Sequence, residues 1–481
     1  MNMDIESKAA VEETLIDFDG SDDPYNPLNW PMKRKLVVTL LYSLCTLGTM
    51  FNSSVYNSGI IQIEHQFGIG TEAALLGLSL YLLGMGFGPI LWAPMSEAYG
   101  RKPAVLIPIS GLMLFTFATA TAKDLQTIFI TRFFAGMFGS APLTNVGGVL
   151  ADIWPASQRG AAMLTWGLGV MTGPMIAPIV GGALVVNLPQ TGWRWTEYTT
   201  GIIIAVSLIL SVIFIDESYP PVLLARKASK IRFETQNWAI RSKSQEAGTS
   251  IPEMARKYLI VPVEMFIDPI CFFINLYGAF VYAIVYLTLA VLPVEFQQVR
   301  GWNELVGSLP FLSIIVGTLF AAGVLFWGQI HYVKVMKANE GKPVAEARLL
   351  PMMIGSFFFP AGLFIMAWTS DRDVHWIGFC FGLLLLGLGF FTIFQSAVSY
   401  LVDTYLMLAA SALAANMFMR SVLAAAFPLI AKSLFGNLGL DWGLSLLAFI
   451  SLAMIPIPFL FHLYGKRIRA VGKRSKVSFI P

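Results

Sequence analysis

Two arginines interrupt stretches that otherwise carry almost no charge: Arg132 in ITRFFAGMFGSAPLTNVGGVLADIW and Arg420 in AASALAANMFMRSVLAAAFPLIAK. A guanidinium stays protonated at physiological pH, and leaving one unpaired in an apolar medium costs at least a few kcal/mol, so each needs a partner or a ligand. For Arg420 two readings stand: it lines a cavity, or it is tied to backbone carbonyls or to Asn416, one helical turn away on the same face. Tyr277, Tyr282 and Tyr286, with Gln395 and Asn145, supply an aromatic wall with scattered polar groups, which suits amphipathic organic molecules. The bland alternative is that these rings face lipid or neighbouring helices. In APMSEAYGRKPAV, Gly100 permits a tight turn, while Glu97, Arg101 and Lys102 place opposite charges at short range. Such a loop can latch two helices, with Asp152 as a further acid, or its cations can serve only as topology signals. In GLGVMTGPMIAPIVGG, Gly169, Gly173, Gly181 and Gly182 allow close helix contact, and Pro174 and Pro178 break backbone hydrogen bonds and bend the chain.

These residues are held by an unusually apolar chain. It has 481 residues, 56% of them hydrophobic and 13% charged, with mean hydropathy +0.68. So little charge cannot cover so much apolar surface in water, which excludes a soluble enzyme and makes this a polytopic membrane protein. Twelve apolar runs are long enough to cross about 30 Å of hydrocarbon as helices. They cover approximately 36–56, 73–93, 104–122, 128–150, 161–186 and 200–214, then 269–293, 307–328, 350–368, 376–402, 409–434 and 443–463. A basic segment, 216–268, divides them into two halves of six, 36–215 and 269–464. An acidic tail, 1–35, expected to be disordered, precedes them, and a basic tail, 465–481, follows.

Placing the N-terminus in the cytosol puts 24 basic residues of the loops and flanks from Lys33 onward on the cytosolic side and 5 on the other, so both termini are expected inside. Arg132 then falls in the outer part of the fourth run, and Arg420 near the middle of the eleventh. Glu97, Asp152, Glu295 and Asp403 all fall near run ends, and no acid is expected deep in the hydrocarbon. That argues against a dedicated polyamine carrier, which needs buried acids. TGWRWTEY before the sixth run and LGLDWGLS before the twelfth form a faint internal repeat, pointing to two parallel repeats with a binding cavity between them.

The APMSEAYGRKPAV loop, the ITRFFAGMFGSAPLTNVGGVLADIW stretch and GLGVMTGPMIAPIVGG occur in order in adjacent runs. Together they resemble the signatures of the major facilitator superfamily, in the form seen in fungal drug:proton antiporters with twelve spans, the group of polyamine and multidrug exporters. DESYPPVLLARKA, the stretch around Tyr277 to Tyr286, KPVAEARL and the eleventh run extend that resemblance over nearly the whole chain from Asp23. It implies an all-α membrane fold of two six-helix bundles, a cytosolic gate at Glu97, Gly100, Arg101 and Asp152, and a part for Arg132 in proton coupling. Arg132 would act through Glu64, His65 or Glu72 at the outer mouth, or through a protonatable substrate. FWGQIHYVKVMKANEGK after the eighth run lacks the acid and arginine of the first-half loop, so no second latch is expected there, and Glu295 stands where an uncharged residue is expected.

The function expected is secondary export of a drug, toxin or secondary metabolite by proton antiport. A polyamine transporter or a nutrient or organic-acid facilitator is the alternative. A membrane-embedded enzyme would need convergent groups, whereas His65, His331, His375 and His462 are scattered. A channel or receptor lacks a charge ring or filter. Direct ATP drive lacks a GxxxxGK[ST] loop. Cys45, Cys271 and Cys380 form no metal or disulfide pattern. No cofactor, metal or nucleic-acid partner is expected. The partners are substrate, protons and lipid, the chain is expected to be a monomer, and its place is the plasma membrane or, alternatively, the vacuolar membrane.

Overall fold

The computed structural model describes residues 15–19, 23–238, 240–242, 256–340, 344–405 and 408–471. Much of the acidic tail, part of the central segment and the basic tail beyond 471 lie outside the described residues. Hydrocarbon offers no partner to backbone N–H and C=O groups, so each apolar run closes its hydrogen bonds within itself as a helix. Eleven continuous helical stretches among the described residues are long and apolar enough to cross a membrane. Spans one to six are Met32–Phe67, Thr71–Tyr99, Pro103–Thr121, Leu125–Ile153, Gln158–Asn187 and Gly192–Phe214. Spans seven to ten are Pro269–Val299, Glu304–Ala338, Ala345–Trp368 and Trp376–Tyr405. The remaining stretch, Ala409–Ala470, would be about 93 Å of straight helix, roughly three times the hydrocarbon thickness. It breaks at Gly439, whose φ of 75° lies where glycine is favoured, and so supplies spans eleven and twelve.

The packing repeats between halves. In the first, span one packs on span five, span two on span four, and span three on spans four and six. In the second, span seven packs on eleven, eight on ten, and nine on ten and twelve. The two bundles meet where span two lies on span eleven and span five on span eight. Across this seam the Ser79 hydroxyl donates to the Ala425 carbonyl at 2.7 Å. Asn57 Nδ2 donates to the Leu289 carbonyl at 2.8 Å.

Span five shows how a helix with internal prolines survives in this setting. Pro178 has no N–H for the Pro174 carbonyl one turn earlier, and the Ser54 hydroxyl of span one donates to that carbonyl instead, at 3.0 Å. Gly173 lets span one approach closely enough that a Cβ there would lie 2.8 Å from Met50 Cβ and 3.0 Å from the Leu47 carbonyl. Gly169 faces Ser43 of the same span, Gly181 faces Ser58, and Gly182 faces Glu304 and Ser308 of span eight. Spans one and five are thereby clamped together.

Three expectations need correction. Span six starts at Gly192, not near residue 200, so the GWRWTEY segment is helical. Span eight continues to Ala338, well past the end of its apolar run. The central segment contains a helix, Pro220–Thr235, and a short parallel pairing of Leu15–Ile16 with Arg241–Ser242. Part of the acidic tail is ordered on that helix: Lys227 Nζ lies 2.7 Å from Asp19 and 3.1 Å from Asp23. The backbone N–H groups of Asp19 and Tyr25, together with the Lys227 ammonium, hold the Asp23 carboxyl below the usual range.

Candidate functional site

Arg132 is completely buried, and every side of its guanidinium is occupied. Nη1 donates to the Asn52 carbonyl at 3.0 Å and to Asn52 Oδ1 at 2.8 Å. Nε reaches the Gly77 carbonyl at 3.2 Å, and Nη2 the Ser53 carbonyl at 3.4 Å. The rings of Tyr56 and Tyr81 lie over it at 4.7 and 4.5 Å. Its counter-charge is Glu197, 3.3 Å away and 1% exposed. No acid was expected deep in a span; Glu197, in the second turn of span six, is buried beside Arg132 and is the carboxylate it contacts. Glu197 was missed because its segment is polar and reads as a loop. A signal was nonetheless present: Trp193, Glu197, Gly201 and Ile204 recur at helical spacing and form the buried face of span six. One oxygen of Glu197, Oε2, has no hydrogen-bond partner.

At one end of the first bundle Arg101 Nε donates to Asp152 Oδ2 at 2.8 Å, and Nη1 to the Ser96 hydroxyl at 2.7 Å. The guanidinium lies 4.5 Å over the Tyr219 ring. Gly100 turns with φ 101°, and the Glu217 carboxylate fills the space beside it, accepting from the Arg101 N–H at 2.8 Å and the Lys102 N–H at 3.3 Å. Glu217, which follows span six, thus closes the loop. Glu97 lies half-buried near Tyr219, whose phenol is pushed up by burial and by the Glu97 charge.

The second bundle has a latch after all. Arg348 Nε donates to Asp403 Oδ2 at 2.9 Å and Nη1 to Gln329 Oε1 at 2.5 Å, with the guanidinium 3.4 Å over Tyr332. The arginine is supplied by the start of span nine, past the loop that follows span eight. The separations of the two pairs, 51 and 55 residues, are the signal that marks them as equivalents. Arg469 pairs with Glu346 alongside. At the opposite end Glu295 is neutralised by Arg300 at 2.6 Å, which also binds the carbonyls of Thr369, Asp371 and Val374.

Between the bundles the Tyr286 hydroxyl lies 2.7 Å from the Ser53 hydroxyl and 3.4 Å from the Tyr282 hydroxyl. Arg420 lies 5.1 Å from the ring centres of both Tyr282 and Phe394. Asn416 is not its partner: that amide donates to Asn275 Oδ1 at 3.0 Å. Asn145 is likewise committed elsewhere, to the Ala104 carbonyl of span three at 3.0 Å within the first bundle. Gln395 faces Gly167 of span five across the seam, and its Oε1 has no partner. Tyr277 is buried with its hydroxyl unpartnered. Two clefts flank this level. One of about 720 Å³ is bounded by Asn57, Pro178 and Gly182 on one bundle and Leu289, Gln297 and Phe435 on the other. The second, about 280 Å³, lies at the Arg101 end between Arg159 and Met163 and Gln329, Arg348, Gln395 and Asp403.

Paired helical bundles with clefts on both sides of a central aromatic and cationic level define a membrane transporter of the two-repeat type. The chain belongs to the Major Facilitator Superfamily, whose family model matches residues 42–428. It is 46% identical over 466 residues to the efflux pump bik6 of Gibberella fujikuroi, covering 96% of each chain. It is 38% identical to the major facilitator superfamily multidrug transporter FLU1 of Candida albicans, over 97% of this chain and 76% of that one. Its fold matches the xylose transporter XylE of E. coli with TM-score 0.62 at 15% identity, over 88% of this chain and 97% of the other.

Proposed function

We propose that the protein exports an amphipathic small organic molecule by proton antiport, the two bundles rocking to open the central level to either side. The relatives named as an efflux pump and a multidrug transporter support export. The observation that carries the coupling is the buried pair of Arg132 with Glu197, whose second oxygen is free to take a proton. Protonation of Glu197 removes the counter-charge of Arg132, which then leans harder on the Asn52 and Ser53 carbonyls. The Ser53 hydroxyl is bonded to Tyr286 of the other bundle, which continues through Tyr282 to Arg420. A proton taken up in the first bundle is thereby felt at the substrate level of the second.

On this reading Glu97, Gly100, Arg101 and Asp152 gate the cytosolic side, and Gly169, Gly173, Pro174, Pro178, Gly181 and Gly182 form the hinge of span five. The bundles are 36–215 and 269–464, the termini and the segment 216–268 are cytosolic, and the protein works as a plasma-membrane monomer. The test is purified protein in liposomes with an imposed pH difference and a panel of amphipathic compounds. The wild type moves its substrate against a gradient when a pH difference is present, and Glu197→Gln retains exchange but loses that drive. Transport that ignores both pH difference and membrane potential leaves a facilitator.

A further inference from the structure

Arg420 lacks what four other arginines have. Arg132, Arg101, Arg300 and Arg348 each face a carboxylate within 3.3 Å. Arg420 is 5% exposed, in the middle of a membrane helix, and none of the carboxylates among the described residues pairs with it. Its one hydrogen bond is from Nη2 to the Met417 sulfur at 3.1 Å, a weak acceptor, and its Nε has no partner. The faces of Tyr282 and Phe394 offset only part of the hydration a guanidinium loses on burial. Most of a planar fork of five donors, whose geometry fits a carboxylate bidentately, is left without an acceptor.

We propose that Arg420 binds the anionic group of the cargo, a carboxylate or phenolate on an aromatic body, so that the exported molecules are organic acids. This deepens the export reading above and rests on it. The aromatic body has rings to lie against, since Tyr282 stacks on Phe394 at 6.0 Å and tilts against Tyr286 at 5.0 Å. The cleft at the Arg101 end is lined by Gln395, which follows Phe394 in span ten, and the Gln395 Oε1 is unpartnered. A polycation would meet a like charge at this level, and like charges brought together in a desolvated site repel strongly. Export of an anion against entry of a proton moves positive charge inward in both half-steps. An inside-negative potential therefore drives acid export more steeply than export of a neutral analogue.

The experiment compares 2-naphthoate, 2-naphthamide and 2-naphthyltrimethylammonium, one ring with three charges, on wild type, Arg420→Gln and Arg420→Lys protein. Binding is read by thermal shift and by radioligand, and movement is read in liposomes under a pH difference and a potential. The wild type should bind naphthoate best. A monodisperse Arg420→Gln should lose about tenfold of that affinity and under about twofold of the amide's, with Arg420→Lys between. Equal loss for both ligands, a wild type that binds the amide or the ammonium as tightly as the acid, or no naphthoate binding overturns the assignment. The first comparison needs no variant, so misfolding cannot hide the answer. Gradient-driven movement of the amide without any preference for the acid removes the role of Arg420 and keeps export. Naphthoate binding that depends on Arg420 but never moves uphill does the reverse.

Discussion

Each bundle carries one arginine at membrane depth, and the two compensate it in opposite ways. In the first, Arg132 is wrapped by three carbonyls, an amide, two ring faces and the Glu197 carboxylate, so its charge is closed within the protein. In the second, Arg420 has ring faces and a sulfur and no acid. The bundles repeat in helix packing and in their end latches, so the difference is local to these two residues. Repetition of a scaffold thus leaves its halves free to divide the chemistry. One half keeps an internal ion pair and the other a cation with no carboxylate beside it; on the proposed reading a proton breaks the first and the cargo completes the second.

The largest expected effect is on stability, and a loss is expected at only one of the two sites. Glu197→Ala strands Arg132 in hydrocarbon, and breaking a buried pair from one side costs about 3–5 kcal/mol. Thermal unfolding in detergent, followed by tryptophan fluorescence, should show a large drop. The double variant Arg132→Met with Glu197→Met should recover most of it, because both charges leave together, while pH-driven transport stays lost. Arg420→Met removes a cation that was never paired, and should leave the unfolding temperature unchanged or higher. A drop for Arg420→Met as large as that for Glu197→Ala would erase the contrast between the bundles.

Of intermediate size is the effect at the latches, where the bundles are expected to agree. Arg101 and Arg348 each combine a carboxylate, a neutral acceptor and an aromatic face. A charge-assisted contact of this kind is worth about 1.5–3 kcal/mol. Arg101→Ala and Arg348→Ala should therefore each slow transport by about tenfold, with surface delivery largely intact, and the exchange Arg101→Asp with Asp152→Arg should restore part of the loss. Vesicle transport normalised to surface protein reads this directly. One silent latch beside one essential latch would show that the repeat is architectural only.

What could be read in the amino-acid order follows from the physics each feature depends on. The spans were legible because hydrocarbon demands long apolar runs, and both buried arginines stood out against that background. Glu197 was not, because a helix that begins in the headgroup region tolerates GWRWTEY, and polarity alone hides where it starts. The second latch escaped because its arginine lies past the loop, in KPVAEARL, and only the folded second bundle brings Arg348 to Asp403. The amides of Asn145 and Asn416 were legible as groups that need a partner, but not which partner each takes. An amide on a membrane helix must find a partner, but sequence does not say whether it turns inward to its own bundle, as both do, or toward the seam.

The smallest expected effect separates the two latches at a single position. One turn before Asp152 stands Gly148, where a Cβ would lie 2.6 Å from Arg101 Nη2, while one turn before Asp403 the second bundle has Ser399. The first guanidinium therefore lies in space that only glycine leaves open. Gly148→Ser should push it off Asp152, but the intruding contact is with the far end of a flexible side chain, so the shift is easily absorbed. A loss of under about 1 kcal/mol is expected, read as a two- to threefold slower transport rate with normal surface level. The reciprocal Ser399→Gly should be close to neutral, since Arg348 already reaches Asp403 at 2.9 Å with serine in place. Equal slowing by both substitutions would mean that the two positions serve span packing rather than the seat of Arg101, and the distinction between the latches would fall.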